Sequence, residues 1–191
     1  MNGSMNDVNV ARIAERIAAN ELEYRGFRVS DLNKEGTAAN ADLIAVKDGR
    51  PWQIQVKGAS NTKEDAWWVG YGYCNPTRLK EKWFNSRSSF YVADVVVLVA
   101  VKSPTDYRCV IMPVDKAEEA VQINLDREYR SPRLDGKERK GTGYAYGNLD
   151  SYIPKTSDQR RALFAKEQEI LNKYDGNWED VFQIAVAANP S

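Results

Sequence analysis

The apolar positions between residues 43 and 57 predict a β-hairpin. Two apolar runs, within 43–47 and 52–57, are separated by Asp48-Gly49, a dipeptide that strongly favours a tight turn between two strands. Strand side chains alternate between the two faces of a sheet. We therefore expect Gln55 and Lys57 to point to one face while their apolar neighbours point to the other.

The rest of the chain mixes helical and strand patterns. Apolar residues at i, i+3, i+4 and i+7 spacing predict an amphipathic helix over 10–25, which Gly26 ends. A continuous β-branched run within 91–101 predicts a strand that is buried on both faces. The remaining patterns predict strands over 27–30 and 108–114, a helix over 115–121 with Asp115 as its N-cap, and helices over 156–174 and 178–187. This order predicts a mixed α/β domain with a central sheet and flanking helices.

Length and composition are those of one globular domain. The chain has 191 residues, of which 42% are hydrophobic and 28% charged, and this length allows one sizeable core. We expect a core over 1–123 and, over 124–191, an irregular loop and C-terminal helices packed on that core, as a single domain overall. No apolar run approaches the roughly 20 residues needed to span a bilayer, so no membrane partner is expected.

The net charge and the residue composition exclude several classes of catalytic and metal site. The formal net charge is zero, with 27 basic and 27 acidic residues, which counts against a protein that coats nucleic acid nonspecifically. The chain has no histidine, which excludes Ser-His-Asp and Cys-His catalysis, histidine-metal nucleases and histidine-ligated zinc. Its two isolated cysteines, Cys74 and Cys109, argue against a disulfide framework or a zinc site. We expect both to be inert and the protein to be cytoplasmic.

Three polar residues interrupt the hydrophobic hairpin and form a candidate metal site. Asp42 stands where the first strand begins, and Gln55 and Lys57 lie on the second strand. A carboxylate, an amide oxygen and an ammonium can therefore converge at one end of the hairpin. The two oxygen donors suit a hard cation such as Mg²⁺, and the lysine can orient an attacking water and help to deprotonate it.

Three stretches carry a resemblance to the PD-(D/E)xK nuclease superfamily. They are Ala14-Glu15-Arg16 in a helix that ends at Gly26-Phe27, Ala41-Asp42-Leu43-Ile44, and Ile54-Gln55-Val56-Lys57-Gly58. The chain looks most like the Holliday-junction resolvase-like and Mrr-like restriction endonuclease members. The resemblance implies a restriction-endonuclease-like α/β core with a C-terminal helical extension. It also implies a metal-dependent DNA endonuclease that hydrolyses phosphodiester bonds.

The resemblance assigns roles to individual residues. It implies that Asp42, Gln55, the Val56 carbonyl and Glu15 hold Mg²⁺, for which Mn²⁺ can substitute, and that Lys57 assists the attacking water. Two positions depart from the superfamily's pattern. The residue before Asp42 is alanine rather than the usual proline, and Gln55 replaces the usual acid, as in the Mrr-like branch. A neutral ligand leaves the metal held by less negative charge.

Two glutamates compete for the helix position in this site. The resemblance favours Glu15, which lies 11 residues before Gly26. Helical periodicity instead places Glu21 near the middle of the apolar stripe and Glu15 on its edge. The sequence leaves both alternatives open.

The sequence also leaves alternatives open for the role of the candidate DNA contacts and for the function of the protein. The dense aromatic patch over 67–73 suits base stacking or burial in a core or interface. Two basic runs suit phosphate binding or solvated loops, and they contribute as candidate DNA contacts Arg78, Lys80, Lys82, Arg127, Arg130 and Arg133. Related folds often work as homodimers, because a duplex offers two scissile strands. The rival function is a catalytically inactive module on the same fold that binds nucleic acid or a protein partner.

Overall fold

The structure, a computed structural model, describes residues 7–32, 41–60, 67–70, 93–103, 105–127, 144–147 and 158–188. In chain order the elements within these ranges are α1 (Asp7–Tyr24), β1 (Arg28–Asp31), β2 (Leu43–Lys47), β3 (Arg50–Ser60), β4 (Trp67–Gly70), β5 (Val95–Ser103), β6 (Asp106–Pro113), α2 (Val114–Leu125), β7 (Tyr144–Gly147), α3 (Asp158–Lys173) and α4 (Trp178–Ala188). None of the helices in the described ranges is long and apolar enough to cross a membrane.

The hairpin of β2 and β3 forms as the sequence predicts, although β3 is longer than expected. The two strands pair antiparallel, and Lys47 lies opposite Arg50 next to the turn. Asp48 and Gly49 have positive φ angles of 52° and 78°, and a type I′ turn requires positive φ at both central positions. The Asp-Gly prediction is therefore confirmed in the backbone conformation of the turn.

Five strands form a mixed sheet in the order β1-β2-β3-β5-β6. Neighbouring strands are antiparallel except for β3 and β5, which run parallel. Every residue from 95 to 101 in β5 is buried, so side chains on both faces of this strand are covered. The predictions of a mixed α/β fold and of a doubly buried strand are confirmed.

Helix α1 packs its apolar stripe on one face of the sheet. A Cβ atom placed on Gly58 would lie 2.6 Å from the Cβ atom of Ala14, so the helix and the β3 backbone are in direct contact. Because side chains alternate along β3, Gln55 and Lys57 point to the opposite face. The buried residues of the helical stripe are Val10, Ala14, Ile17, Ala18 and Leu22.

The C-terminal segment closes the β6 edge of the sheet. The Tyr174 carbonyl accepts the N–H of Ile111 at 3.0 Å, and the Cys109 carbonyl accepts the N–H of Gly176 at 2.8 Å. Farther along, Phe182 of α4 packs its ring against other buried aromatic rings, at centroid distances of 4.6 and 5.3 Å from Phe27 and Trp52. The last two helices therefore contribute to the same core as the sheet.

Helix α2 begins and ends at residues other than those that the sequence predicts. Pro113 occupies its N-cap position and no side-chain capping bond is present, so the prediction of an Asp115 cap is wrong. Asp115 instead lies in the first turn, where a negative charge favours the positive end of the helix dipole. The helix ends at Leu125, beyond the domain boundary expected after residue 123.

The first part of the aromatic patch is a strand. Trp67–Gly70 forms β4, which pairs antiparallel with Tyr144–Gly147 in a separate two-stranded sheet. Residues 71–73 of the patch lie outside the described ranges. The pairing joins two segments that are far apart in the sequence.

A buried ion pair joins α3 to the chain just after α2. Arg127 is 1% exposed and Glu167 is 0% exposed, and their Nη2 and Oε2 atoms lie 3.0 Å apart. The Arg127 guanidinium also stands 5.0 Å from the centroid of the Phe164 ring. The basic run suggested Arg127 as a DNA contact, but the structure places this residue in the interior. It is therefore a packing residue, and that expectation is wrong.

We predict that Glu167→Ala lowers the free energy of unfolding by about 3–5 kcal/mol, because the Arg127 charge stays buried after its carboxylate partner is removed. Asp158→Ala is the matched control, since it breaks the exposed pair between Asp158 and Arg161. That change should cost less than about 1 kcal/mol. Urea denaturation followed by circular dichroism measures both, and equal losses would contradict a structural role for the buried pair.

Candidate active site

The hairpin brings Asp42 and Gln55 into direct contact. The Asp42 N–H donates to the Ile54 carbonyl at 2.9 Å, which holds the aspartate beside β3 at the start of β2. Its Oδ2 atom accepts hydrogen bonds from the Val56 N–H, at 2.7 Å, and from the Gln55 side-chain amide. Main-chain and side-chain bonds therefore both attach this carboxylate to the Gln-Val-Lys strand.

Gln55 is one of the buried polar residues of the described chain, with 6% of its surface exposed. Leaving a buried polar group without a hydrogen bond costs about 1–3 kcal/mol, and Asp42 meets that requirement here. A glutamine amide carries a donor group and an acceptor oxygen at the same end. Rotation of that amide would turn its oxygen, instead of its NH₂ group, toward the Asp42 carboxylate and any cation beside it.

Lys57 lies two positions after Gln55 on the same face of β3 and is half-buried. Residues two apart on a strand are separated by about 7 Å. The flexible lysine chain is long enough to bring its ammonium to the Asp42–Gln55 pair. The face that holds these side chains is the one turned away from α1.

Helix α1 meets β3 beside Lys57, and this sets the position of Glu15. Ala14 contacts Gly58 directly, and these two residues are the chain neighbours of Glu15 and Lys57. Glu15 is half-buried on the flank of the helical stripe. Its main chain therefore stands at the level of β3 that carries Lys57, although the helix covers the other face of the sheet.

Glu21 lies farther along α1 and has its own partners. It is six residues beyond Glu15, which corresponds to about 9 Å of helix rise. Arg25 pairs with its Oε2 atom at 2.5 Å, and the Tyr107 hydroxyl donates to its Oε1 atom at 2.6 Å. That hydrogen bond, followed by burial, raises the pKa of Tyr107 to about 12. Glu21 therefore ties α1 to β6.

Cys109 lies on β6 beneath this Glu21–Tyr107 contact. Burial is the main cause that raises the pKa of its thiol to about 12, and the nearby Glu21 charge adds to the shift. The thiolate is the reactive form of cysteine. The thiol is thus protonated at neutral pH, which agrees with an inert residue.

The oxygen donors of the hairpin fit a hard divalent cation such as Mg²⁺. Asp42 offers a carboxylate and Gln55 an amide oxygen. The Val56 carbonyl faces the same edge of β3 as its N–H, which donates to Asp42. In the part of the chain that the structure describes, no group of three or more Cys, Asp and Glu side chains could hold a metal. A cation here would thus depend on amide and main-chain oxygens as well as carboxylates.

Most of the residues suggested as DNA contacts are not covered by the structure. Arg78, Lys80, Lys82, Arg130 and Arg133 lie outside the described residues, as does Cys74. Their roles stay predictions from the sequence.

Sequence reasoning gave no role to Gly58 or to Tyr107. A glycine within a strand often marks the close approach of another backbone, so the signal for Gly58 was present. Tyr107 carried no such signal, because its partner Glu21 lies 86 positions away in the sequence. Only the packing of α1 on the sheet brings the two side chains together.

Comparison with known proteins supports the fold. A scan of protein families finds no match, and a search of curated proteins finds none. Among solved structures, the chain is similar to a bacterial homing endonuclease, I-Ssp6803I, with a TM-score of 0.51 and 15% sequence identity. The similarity covers 98% of this chain and 97% of that one. At this identity the comparison establishes a shared fold.

We predict that Gly58→Ala destabilises the protein by about 1–3 kcal/mol, because the added methyl group would overlap Ala14 in a packed interface. Ala14→Gly removes the atom that it meets, although glycine in a helix costs about 1 kcal/mol. The double variant should therefore lose clearly less stability than the sum of the two single losses. Urea denaturation of all four proteins measures this coupling, and strictly additive losses would contradict direct contact.

We predict that Glu21→Gln moves the pKa of Tyr107 back toward its ordinary value of about 10. The raised pKa means that this phenol stabilises the fold below pH 10 and that the contribution is lost as pH rises through about 12. Alkaline absorbance titration, with Tyr107→Phe subtracted, isolates this tyrosine from the others. An unchanged difference titration in Glu21→Gln would contradict the hydrogen bond as its cause.

Proposed function

We propose that this protein is a metal-dependent DNA endonuclease that hydrolyses phosphodiester bonds. The observation that carries the proposal is the Asp42 carboxylate, which accepts hydrogen bonds from Gln55 and Val56 of β3, the strand on which Lys57 follows Gln55 by two residues. The nuclease-like fold, similar to that of a homing endonuclease, supports the same chemistry. We propose DNA as the substrate and two copies of the chain for the two strands of a duplex.

Asp42 and Gln55 form the fixed part of the proposed site. The Val56 N–H and the Gln55 amide hold one oxygen of Asp42 in place, so the carboxylate is oriented before substrate arrives. Preorganised groups need no rearrangement during the reaction. Gln55 adds no charge, which limits repulsion between Asp42 and an approaching phosphate.

In the proposed reaction, Lys57 stabilises negative charge on the phosphate and accepts a proton from the attacking water. Its ammonium can attract the scissile phosphate and offset the negative charge that builds on the phosphoryl oxygens during attack. In its neutral form the amine can accept a proton from the attacking water. Its half-buried position on β3, two residues after Gln55, leaves the ammonium partly accessible to solvent.

We assign the helix carboxylate to Glu15. Its neighbour Ala14 contacts β3 at Gly58, next to Lys57, whereas Glu21 is bound by Arg25 and Tyr107. Glu21 therefore stabilises the packing of α1 against β6, away from the proposed site. Glu15 would complete the site from the flank of the helix.

Asp42, Gln55, the Val56 carbonyl and Glu15 would hold Mg²⁺, or Mn²⁺ in its place. When bound, such an ion polarises a phosphoryl oxygen and lowers the pKa of a bound water. Because the Gln55 amide and the Val56 carbonyl are neutral, the set carries two negative charges, from Asp42 and Glu15.

The second candidate is a catalytically inactive module that binds nucleic acid or a protein partner. One observation favours it: the NH₂ group of Gln55 already satisfies Asp42. A carboxylate–amide pair of this kind, between a half-buried aspartate and a buried glutamine, is stable without a cation. The two candidates differ in their response to divalent ions.

We predict that purified protein with Mg²⁺ or Mn²⁺ cleaves plasmid or branched DNA, and that Lys57→Ala and Asp42→Asn each reduce the rate at least about 100-fold. Lys116→Ala is the control, because this exposed lysine lies on α2 and pairs with Glu119. Glu15→Gln should lose activity and Glu21→Gln should keep it. Gel electrophoresis of the products measures the rates of the wild type and the five variants.

Thermal unfolding separates the two candidates. Mg²⁺ should raise the melting temperature of the wild type, and Asp42→Asn should abolish the rise, because ligands that bind only the folded state stabilise it. Cleavage that persists unchanged in Lys57→Ala would contradict the enzyme proposal. DNA binding with neither cleavage nor a response to Mg²⁺ would establish the inactive module instead.

A further inference from the structure

A cavity of about 780 Å³ lies at the turn end of the hairpin. Ligand sites commonly have volumes of about 300–1,000 Å³. Its floor consists of buried aromatic rings, which are Phe27, Trp52, Trp178 and Phe182. These rings come from the chain after α1, from β3 and from α4, so the cavity exists only in the folded protein.

Three cationic side chains stand over this aromatic floor. The Arg50 guanidinium lies 4.2 Å from the centroid of the Trp52 ring. Arg25 lies 4.9 Å from the Trp178 ring, and the Lys47 ammonium lies 5.1 Å from the Phe27 ring. Aromatic faces attract cations, so each positive group is held at the wall of the cavity.

Further contacts keep these cations in position. The Lys47 ammonium donates to the Arg25 carbonyl at 3.0 Å, and the Arg25 guanidinium pairs with Glu21. Asp48 and Glu179 also line the cavity, so its lining carries three positive and two negative side chains, a net charge of plus one. Arginine and lysine side chains each carry several N–H donors, so each of the three cations can also donate to a phosphate in the cavity.

Tyr24 adds a flat aromatic surface to this cavity. It lines the same cavity and is 88% exposed, in contrast to the buried rings of the floor. An exposed ring of this kind can stack against a planar group such as a base. The cavity thus combines charges for an anion with a surface for an aromatic ring.

We propose that this cavity binds a nucleotide, with its phosphate among Arg25, Lys47 and Arg50 and its base against Tyr24. The site is separate from the proposed active site. Arg50 precedes Gln55 by five residues, or roughly 17 Å of strand, and Trp52 points to the face of β3 opposite to Gln55. Binding here therefore does not depend on the proposed nuclease activity.

Calorimetric titration in EDTA tests the proposal with thymidine monophosphate, inorganic phosphate and an eight-residue single-stranded oligothymidylate. Lys47→Gln and Arg50→Gln should each weaken nucleotide binding about tenfold, because each removes one charged contact to phosphate. Arg50→Lys keeps the charge and should retain most of the affinity. Tyr24→Ala should weaken nucleotide binding at least about fivefold and leave the binding of inorganic phosphate unchanged.

Lys173→Gln is the matched control, because Lys173 is an exposed cation 5.5 Å from the buried Tyr174 ring, outside the cavity. It should leave nucleotide binding unchanged. Equal binding of monophosphate and oligonucleotide indicates a free nucleotide as the ligand, whereas tighter binding of the oligonucleotide indicates a DNA strand. Absence of binding by both, or an equal loss in Lys173→Gln, would overturn the proposal.

Discussion

The close contact between α1 and β3 is the constraint on which the rest of the structure depends. Gly58 lets the helix approach until Ala14 meets the strand backbone, and no larger residue fits there without a shift. This contact fixes the level at which the helix crosses the sheet. It therefore decides that Glu15 stands beside the Lys57 segment and that Glu21 reaches Tyr107 on β6.

The Asp42 carboxylate has a comparable role within the hairpin. It joins the start of β2 to the Gln55 and Val56 positions of β3. The same hydrogen bonds therefore hold the two strands together and orient the Asp42 carboxylate. A buried amide needs such a partner. The same geometry suits a structural carboxylate–amide pair and the cation site that we propose, and the orientation of one amide group distinguishes the two.

One hairpin carries different chemistry on its two faces. Gln55 and Lys57 point away from α1, while Trp52 points toward α1 and α4. The turn end adds Lys47 and Arg50, whose charges are held over aromatic rings. Strand alternation separates the polar site from the aromatic cavity, so substitutions on one face can be tested with little effect on the other.

The sequence by itself determined the local features of this protein. The Asp48-Gly49 turn, the apolar stripe of α1, the buried run of β5 and the last two helices follow from periodicity and turn chemistry, which act between near neighbours. The juxtaposition of Asp42 with Gln55 followed as well, because a tight turn fixes the register of two strands.

Only the tertiary structure decided which distant groups meet. Glu21 lay on the apolar stripe by periodicity, yet its position is defined by Tyr107, 86 residues away. Arg127 looked like a surface cation in a basic run, yet Glu167 draws it into the interior. The aromatic cavity is assembled from the two ends of the described chain and the hairpin between them. These contacts depend on how helices pack on the sheet, and sequence periodicity describes which face of a helix is apolar but not what that face meets.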